Sequence, residues 1–186
     1  INESEPASLL RISTVFNVID TRVLGYEFTL DEMDKIIKKS LVIDRSKLLE
    51  GLEGKKIALL LDNAGEHIID IKLANALAEI NEVTLFVRGD TYEIDVTLED
   101  LKWLDISEKI EVRTSNGALP SASVVDTNEF DLVISKGIAN LEELIDRHYS
   151  EKLYLDNVLF AFVVKCNVLS EILNVKNRFA LIATWN

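Results

Sequence analysis

The chain has 186 residues, 48% of them hydrophobic, which is enough to bury one substantial core and predicts a single compact domain. Its 32 acidic and 20 basic residues give a net charge of −12, which argues against nucleic acid as a partner. The apolar run at residues 158–164 is too short to cross a bilayer and the single cysteine excludes internal disulfides, so we expect a cytoplasmic protein with no membrane partner.

Residues 1–55 are predicted to form a helical N-terminal segment in front of an α/β core over residues 56–186. Apolar residues recur at three- and four-residue spacing over residues 6–24, which predicts an amphipathic helix, and more weakly over residues 31–41. Residues 44–55 are charged and contain two glycines, which indicates a short helix and a turn that lead into the core.

The core begins with an apolar run at residues 57–61 that has no polar member, as expected for a parallel strand covered on both faces. A helix is predicted over residues 66–80. Further strands are predicted at residues 82–88, 109–113, 131–135, 157–164 and 178–184, and further helices at residues 97–104, 140–149 and 168–173. Residues 114–129 are expected to form a long irregular connection. This alternation predicts a three-layer α/β/α fold with a mostly parallel, Rossmann-like sheet.

Polar side chains follow the predicted core strands, where open α/β sheets place their chemistry. They are Asp62 and Asn63 after the first core strand, Asp95 in the loop after the second, and Lys136 and Lys165 after two later strands. Because parallel strands share one carboxyl edge, these side chains can converge. Two carboxylates and an amide oxygen suit a hard divalent cation such as Mg²⁺ or Mn²⁺, and two ammonium groups suit phosphate oxygens. The pattern favours metal-assisted phosphoryl hydrolysis.

Each of these residues also has a purely structural interpretation. Asp62 and Asn63 could cap the helix that follows them, and Asp95 could complement a helix dipole. Lysines at strand ends are more often solvated than bound to a ligand. Glu66 and Asp70 lie one helical turn apart and either support the site or belong to the surface.

Taken together and in order, these motifs resemble those of the metal-dependent damage-control phosphatases. That family was long known only as a domain of unknown function, and its human relative was once described as an acidic-residue methyltransferase. The resemblance rests on LLDNAGE at residues 60–66, DVT at residues 95–97, LVISKGIAN at residues 132–140, FVVKCNV at residues 162–168 and NVID at residues 17–20.

The resemblance implies roles for individual residues. It implies that Asp62, Asn63 and Asp95 bind a divalent metal ion, which would be Mn, Co, Ni or Mg, and that Asp62, Asp95 and Lys165 act in catalysis. It also implies that Asn17, Asp20, Gly65, Glu66, Lys136 and Asn140 surround the substrate. The substrate would be a small phosphorylated metabolite, such as a sugar phosphate or a phosphopantetheine derivative.

The chain departs from the family pattern at Ile94, where the family usually has Asn, and at Phe16, where it has Gly. Family members also tend to carry a larger helical N-terminal region. Two alternatives are a non-catalytic module that binds a nucleotide or small anion at the same edge, and an S-adenosylmethionine-dependent methyltransferase. The first core strand lacks the glycine-rich turn that the methyltransferase would need. The lack of glutamine, together with many charged residues, suggests a thermophilic source.

Overall fold

The structure is a computed structural model that describes residues 6–19, 41–165, 167–176 and 179–185. Its strands are β1 (Leu41–Asp44), β2 (Lys56–Leu60), β3 (Glu82–Val87), β4 (Glu111–Thr114), β5 (Leu132–Lys136), β6 (Val158–Val163) and β7 (Ala180–Thr184). Its α-helices are α1 (Pro6–Ile19), α2 (His67–Ala78), α3 (Leu98–Leu101), α4 (Ile138–Glu151) and α5 (Asn167–Leu173). Short 3-10 turns lie at Ser46–Leu49, Ser121–Val124 and Thr127–Glu129.

The seven strands form one sheet in the order β1-β7-β6-β5-β2-β3-β4. Neighbouring strands run parallel, except that β7 is antiparallel to β6. The predicted α/β fold with a mostly parallel sheet is therefore confirmed. The carboxyl ends of β2, β3, β5 and β6 lie along one edge, because these strands point the same way.

Alternate residues of β2 pack into two different layers, which explains why residues 57–60 of this strand are all apolar. Ile57 and Leu59 join a cluster with side chains of α1 and α2, and Ala58 and Leu60 join a cluster with side chains of α4. All four are fully buried. The sheet therefore has helices on both faces, as the alternating pattern predicted.

One strand was not predicted. β1 lies in the segment that was expected to be helical, and it pairs in parallel with β7 at the edge of the sheet. Most of the helix predicted over residues 31–41 lies outside the described residues, but residue 41 belongs to this strand. β1 has only four residues, three of them exposed, so its sequence carries little strand periodicity. Among the described helices, none has the length and apolarity needed to span a membrane.

Candidate active site

The loop after β3 folds back against the end of β2 and brings Asp95 beside Asp62 and Asn63. The amide of Val96 donates to the carbonyl of Asp62 at 2.8 Å, and the amide of Ala64 donates to the carbonyl of Ile94 at 2.7 Å. Asn63 and Asp95 form an isolated antiparallel bridge. The backbone thus fixes two stretches that are distant in sequence side by side at the carboxyl edge of the sheet.

Gly137 makes room for the Asp62 carboxylate. It has a φ of +77° and joins the end of β5 to the first turn of α4. A Cβ atom added to Gly137 would lie 2.0 Å from Cγ of Asp62, so a side chain at this position would displace the carboxylate. This glycine was not among the predicted site residues, although its place directly after a predicted strand was a signal.

Asp62, Asn63 and Asp95 line a cleft of about 160 Å³ together with Asn17 and Lys165. Five of the predicted site residues therefore meet at one place. The cleft is also lined by Ile138 and Ala139 at the start of α4, where helix geometry leaves peptide N–H groups without intrahelical partners. Three lining residues that were not predicted come from the loop after β3, namely Arg88, Tyr92 and Glu93.

The carboxylates of the cleft are poorly solvated. The pKa of Asp62 is raised to about 6, because burial and the negative charge of Asp95 outweigh the opposing effect of Lys136 and Lys165. Burial also raises the pKa of Asp95, against the opposing effect of Arg88. Both carboxylates therefore ionise less readily than exposed ones, and a bound cation would stabilise their ionised forms.

The donor set suits a hard cation. Asp62 and Asp95 offer carboxylate oxygens, Asn63 offers an amide oxygen, and the buried Oδ1 atom of Asn17 has no hydrogen-bond partner. Within the described ranges, no group of three His, Cys, Asp or Glu side chains is placed to hold a metal. The candidate site therefore consists of two carboxylates and amide oxygens, and not of a larger cluster of acidic or imidazole ligands.

Lys136 does not line the cleft, although it was predicted to contact substrate. Its ammonium group is fully buried and donates to both oxygens of Asp70, at 2.9 and 3.1 Å, and to Glu66 at 3.3 Å. Burial lowers the pKa of Lys136, but Asp70 and Glu66 outweigh this effect and the pKa is raised. The side chain is directed towards α2. The position of a lysine at a strand end does not by itself reveal the direction of its side chain.

Glu66 lies beneath the cleft and connects it to α1. One carboxylate oxygen accepts from the amide of Asn63 at 3.3 Å and from Nδ2 of Asn17 at 3.1 Å. The same Asn17 nitrogen donates to Asp62 at 3.3 Å. Burial raises the pKa of Glu66 to about 7, against the opposing charge of Lys136. Glu66 and Asp70 are therefore buried supports rather than surface residues.

Asn140 and Gly65 also lie outside the cleft lining. Asn140 donates to the carbonyls of Leu61 and Lys136 at 3.1 and 2.9 Å and accepts from the amide of Ala122 at 2.9 Å. Its side chain is used within the fold, so we assign it to positioning the end of β2 rather than to the predicted contact with substrate. Gly65 is exposed, and its φ of +103° is what favours glycine there. Asp20 lies outside the described residues.

A family model described as the damage-control phosphatase ARMT1-like domain matches residues 2–181. The chain belongs to this family. It is similar to the damage-control phosphatase PH1575 of Pyrococcus horikoshii, with 30% identity over 92% of this chain and 65% of that protein. It is also similar to a damage-control phosphatase of Archaeoglobus fulgidus, with 26% identity over 88% of this chain and 60% of that protein. The chain thus spans less than two thirds of the length of either relative.

The fold agrees with the crystal structure of the DUF89 family protein PH1575 at a TM-score of 0.67 and 20% identity. That match covers 98% of this chain and 73% of the other. A further similarity, 28% identity over 70% of the chain, is to the ribosomal RNA small subunit methyltransferase G of Mesomycoplasma hyopneumoniae. The match to the family model and the similarity to the two damage-control phosphatases confirm the family resemblance inferred from the sequence motifs.

Proposed function

We propose that the protein is a divalent-metal-dependent phosphatase that hydrolyses small phosphorylated metabolites, such as sugar phosphates or phosphopantetheine-like compounds, in metabolite damage control. The observation that carries this proposal is the meeting of Asp62, Asn63 and Asp95 in one cleft with Lys165. Membership of the damage-control phosphatase family supports it. The same proposal places the protein in the cytoplasm, because its single cysteine excludes internal disulfides.

In this proposal Asp62, Asn63 and Asp95 hold a Mn, Co, Ni or Mg ion, which supplies Lewis-acid polarisation of a phosphoryl oxygen when bound. Lys165 neutralises negative charge that develops on the phosphoryl group. The first residues of α4, Ile138 and Ala139, line the same cleft, and the N-terminus of a helix favours an anion. Asn17 orients Asp62 by donating a hydrogen bond to one of its carboxylate oxygens.

The test is a hydrolysis screen of chelator-treated protein with sugar phosphates and para-nitrophenyl phosphate, each with Mn²⁺, Co²⁺, Ni²⁺ or Mg²⁺. We expect turnover with at least one metal, and a loss of at least about 100-fold in Asp62→Asn and in Asp95→Asn. Asp146→Asn, at an exposed position of α4, is the matched control and should keep full activity. Folded protein that hydrolyses nothing, or an Asp62→Asn variant with full activity, would contradict the proposal.

Each of the two alternatives predicts a different result. Metal or phosphate binding without turnover would indicate a non-catalytic module that binds small anions. The similarity to a methyltransferase is the observation that favours the second alternative. Against it, the turn after β2 has one glycine, Gly65, and three carboxylate side chains, those of Asp62, Glu93 and Asp95, line the cleft. S-adenosylmethionine should therefore not raise the melting temperature of the protein.

A further inference from the structure

Arg88 follows the last residue of β3 and is almost completely buried, with 4% of its surface exposed, in the wall of the cleft. Its guanidinium group has three contacts, two with the loop after β3 and one with the connection after β4. Nε donates to Oδ2 of Asp95, a terminal nitrogen donates to the carbonyl of Ala118, and the group lies 4.7 Å from the centre of the Tyr92 ring. Buried arginines are rare unless their charge is paired.

A part of the chain distant in sequence from Asp95 also holds the guanidinium in place. Ala118 belongs to the long connection after β4, which is tied to the end of β3 by a 2.9 Å hydrogen bond from the amide of Asp90 to the carbonyl of Gly117. Gly89 permits this approach, since a Cβ atom there would lie 2.2 Å from the carbonyl oxygen of Ser115. The position of the guanidinium is therefore set by the fold and not by Asp95 alone.

The bond from Arg88 takes one of the two carboxylate oxygens of Asp95, and among the described residues none donates a hydrogen bond to the other, Oδ1. A carboxylate held at one oxygen by a fixed arginine has little freedom to rotate. We propose that Arg88 is a positioning residue that holds Asp95 by Oδ2 so that Oδ1 is presented to the cation. This inference rests on the proposed function. Mutation of residues that orient metal ligands in this way typically lowers metal affinity or activity by about 10- to 100-fold.

The first measurement is Mn²⁺ binding to the chelator-treated full chain by isothermal titration calorimetry. We expect Arg88→Met to weaken Mn²⁺ binding about 10- to 100-fold. Arg88→Lys keeps the charge but loses the planar fork that reaches two acceptors at once, so we expect a smaller loss. Arg113→Met is the matched control, because Arg113 also pairs with carboxylates and lies 5.7 Å from the centre of an aromatic ring, that of Phe86, but does not line the cleft.

The second measurement is hydrolysis of para-nitrophenyl phosphate as a function of Mn²⁺ concentration. A positioning role predicts that excess Mn²⁺ restores most of the activity of Arg88→Met with little change in KM, at a temperature where the metal-free variant is fully folded, so that stabilisation of the fold by Mn²⁺ does not account for the recovery. Circular dichroism checks the fold, and Arg88→Lys carries the test if Arg88→Met does not fold.

Mn²⁺ affinity that is unchanged or tighter in both folded Arg88 variants would overturn the inference, since Arg88 would then be neutral towards the cation or compete with it. In that case the wild-type protein would still bind Mn²⁺ and the proposed function would stand. Wild-type protein that binds no Mn²⁺ would instead overturn the proposed function, and this inference with it.

Discussion

Replacing Asp62 by Asn should stabilise the metal-free protein. The Asp62 carboxylate is buried beside Asp95, and its pKa is raised from 3.8 to about 6, so folding disfavours its ionised form. Asn has the same shape, keeps an oxygen for the hydrogen bond from Asn17 and carries no charge. The substitution therefore removes the destabilising charge without opening a cavity.

The size of the effect follows from the difference in pKa between the folded and unfolded chain. A rise from 3.8 to about 6, at about 1.4 kcal/mol per pKa unit, corresponds to about 3 kcal/mol. Because the pKa of the folded state is the higher one, this destabilisation is fully present above about pH 7 and absent below about pH 3. At about pH 5 roughly half of it should remain. For a chain of this length, about 3 kcal/mol corresponds to roughly 6–12 °C in melting temperature.

The assay is thermal and urea unfolding of wild type, Asp62→Asn and the exposed control Asp146→Asn, in chelator, at about pH 8 and about pH 5. The control should differ from wild type by less than about 0.5 kcal/mol. Saturating Mn²⁺, at about 100 times its dissociation constant, should stabilise only the wild type, by about 3 kcal/mol, and close the gap. An Asp62→Asn variant that unfolds at or below the wild-type temperature at about pH 8 would refute the reasoning.

Three further predictions test the surroundings of the site. Gly137→Ala should abolish detectable Mn²⁺ binding by calorimetry, because its Cβ atom would displace Asp62. The control Gly51→Ala, with a φ of +72° and no atom within 4 Å of the added Cβ, should only lower the melting temperature. Asn140→Ala should lower the free energy of unfolding, measured in urea, by about 2–4 kcal/mol because it leaves buried polar groups unpaired. KM should not change. A raised KM with normal stability would indicate that Asn140 contacts the substrate instead. Mn²⁺ affinity should be about tenfold weaker at about pH 5 than at about pH 8, since Asp62 must lose its proton to bind the ion. An affinity, measured by calorimetry, that does not change with pH would contradict this prediction.

The α/β fold could be predicted because its burial pattern is local. The fully apolar stretch at residues 57–61 indicates a strand covered on both faces, and the helices between strands require a parallel sheet. β1 could not be found in this way, because its pairing with β7 lies far along the chain and most of its side chains are exposed.

The candidate site was predictable only to the extent that topology determines it. Parallel strands bring Asp62, Asp95 and Lys165 to the same edge whatever their side chains do. The direction of a side chain beyond a strand end depends on local backbone geometry, and for this reason Lys136 was predicted in the cleft but is buried against α2. Arg88 was included in the predicted strand 82–88 and was therefore not considered as a site residue.

The balance of buried charge connects these observations. The cleft and the layer beneath it contain four carboxylates shielded from solvent, which belong to Asp62, Glu66, Asp70 and Asp95, and two buried cations, which belong to Lys136 and Arg88. The exposed Glu93 and Lys165 also line the cleft, and their charges are opposite. If all six groups were ionised, the surplus would be two negative charges, equal and opposite to the charge of one divalent cation. Without a cation, protons are the available compensation, which agrees with the raised pKa values of Asp62, Glu66 and Asp95. A fold that served only its own stability would have no reason to bury this surplus, so its presence favours a cation-dependent role over a purely structural one.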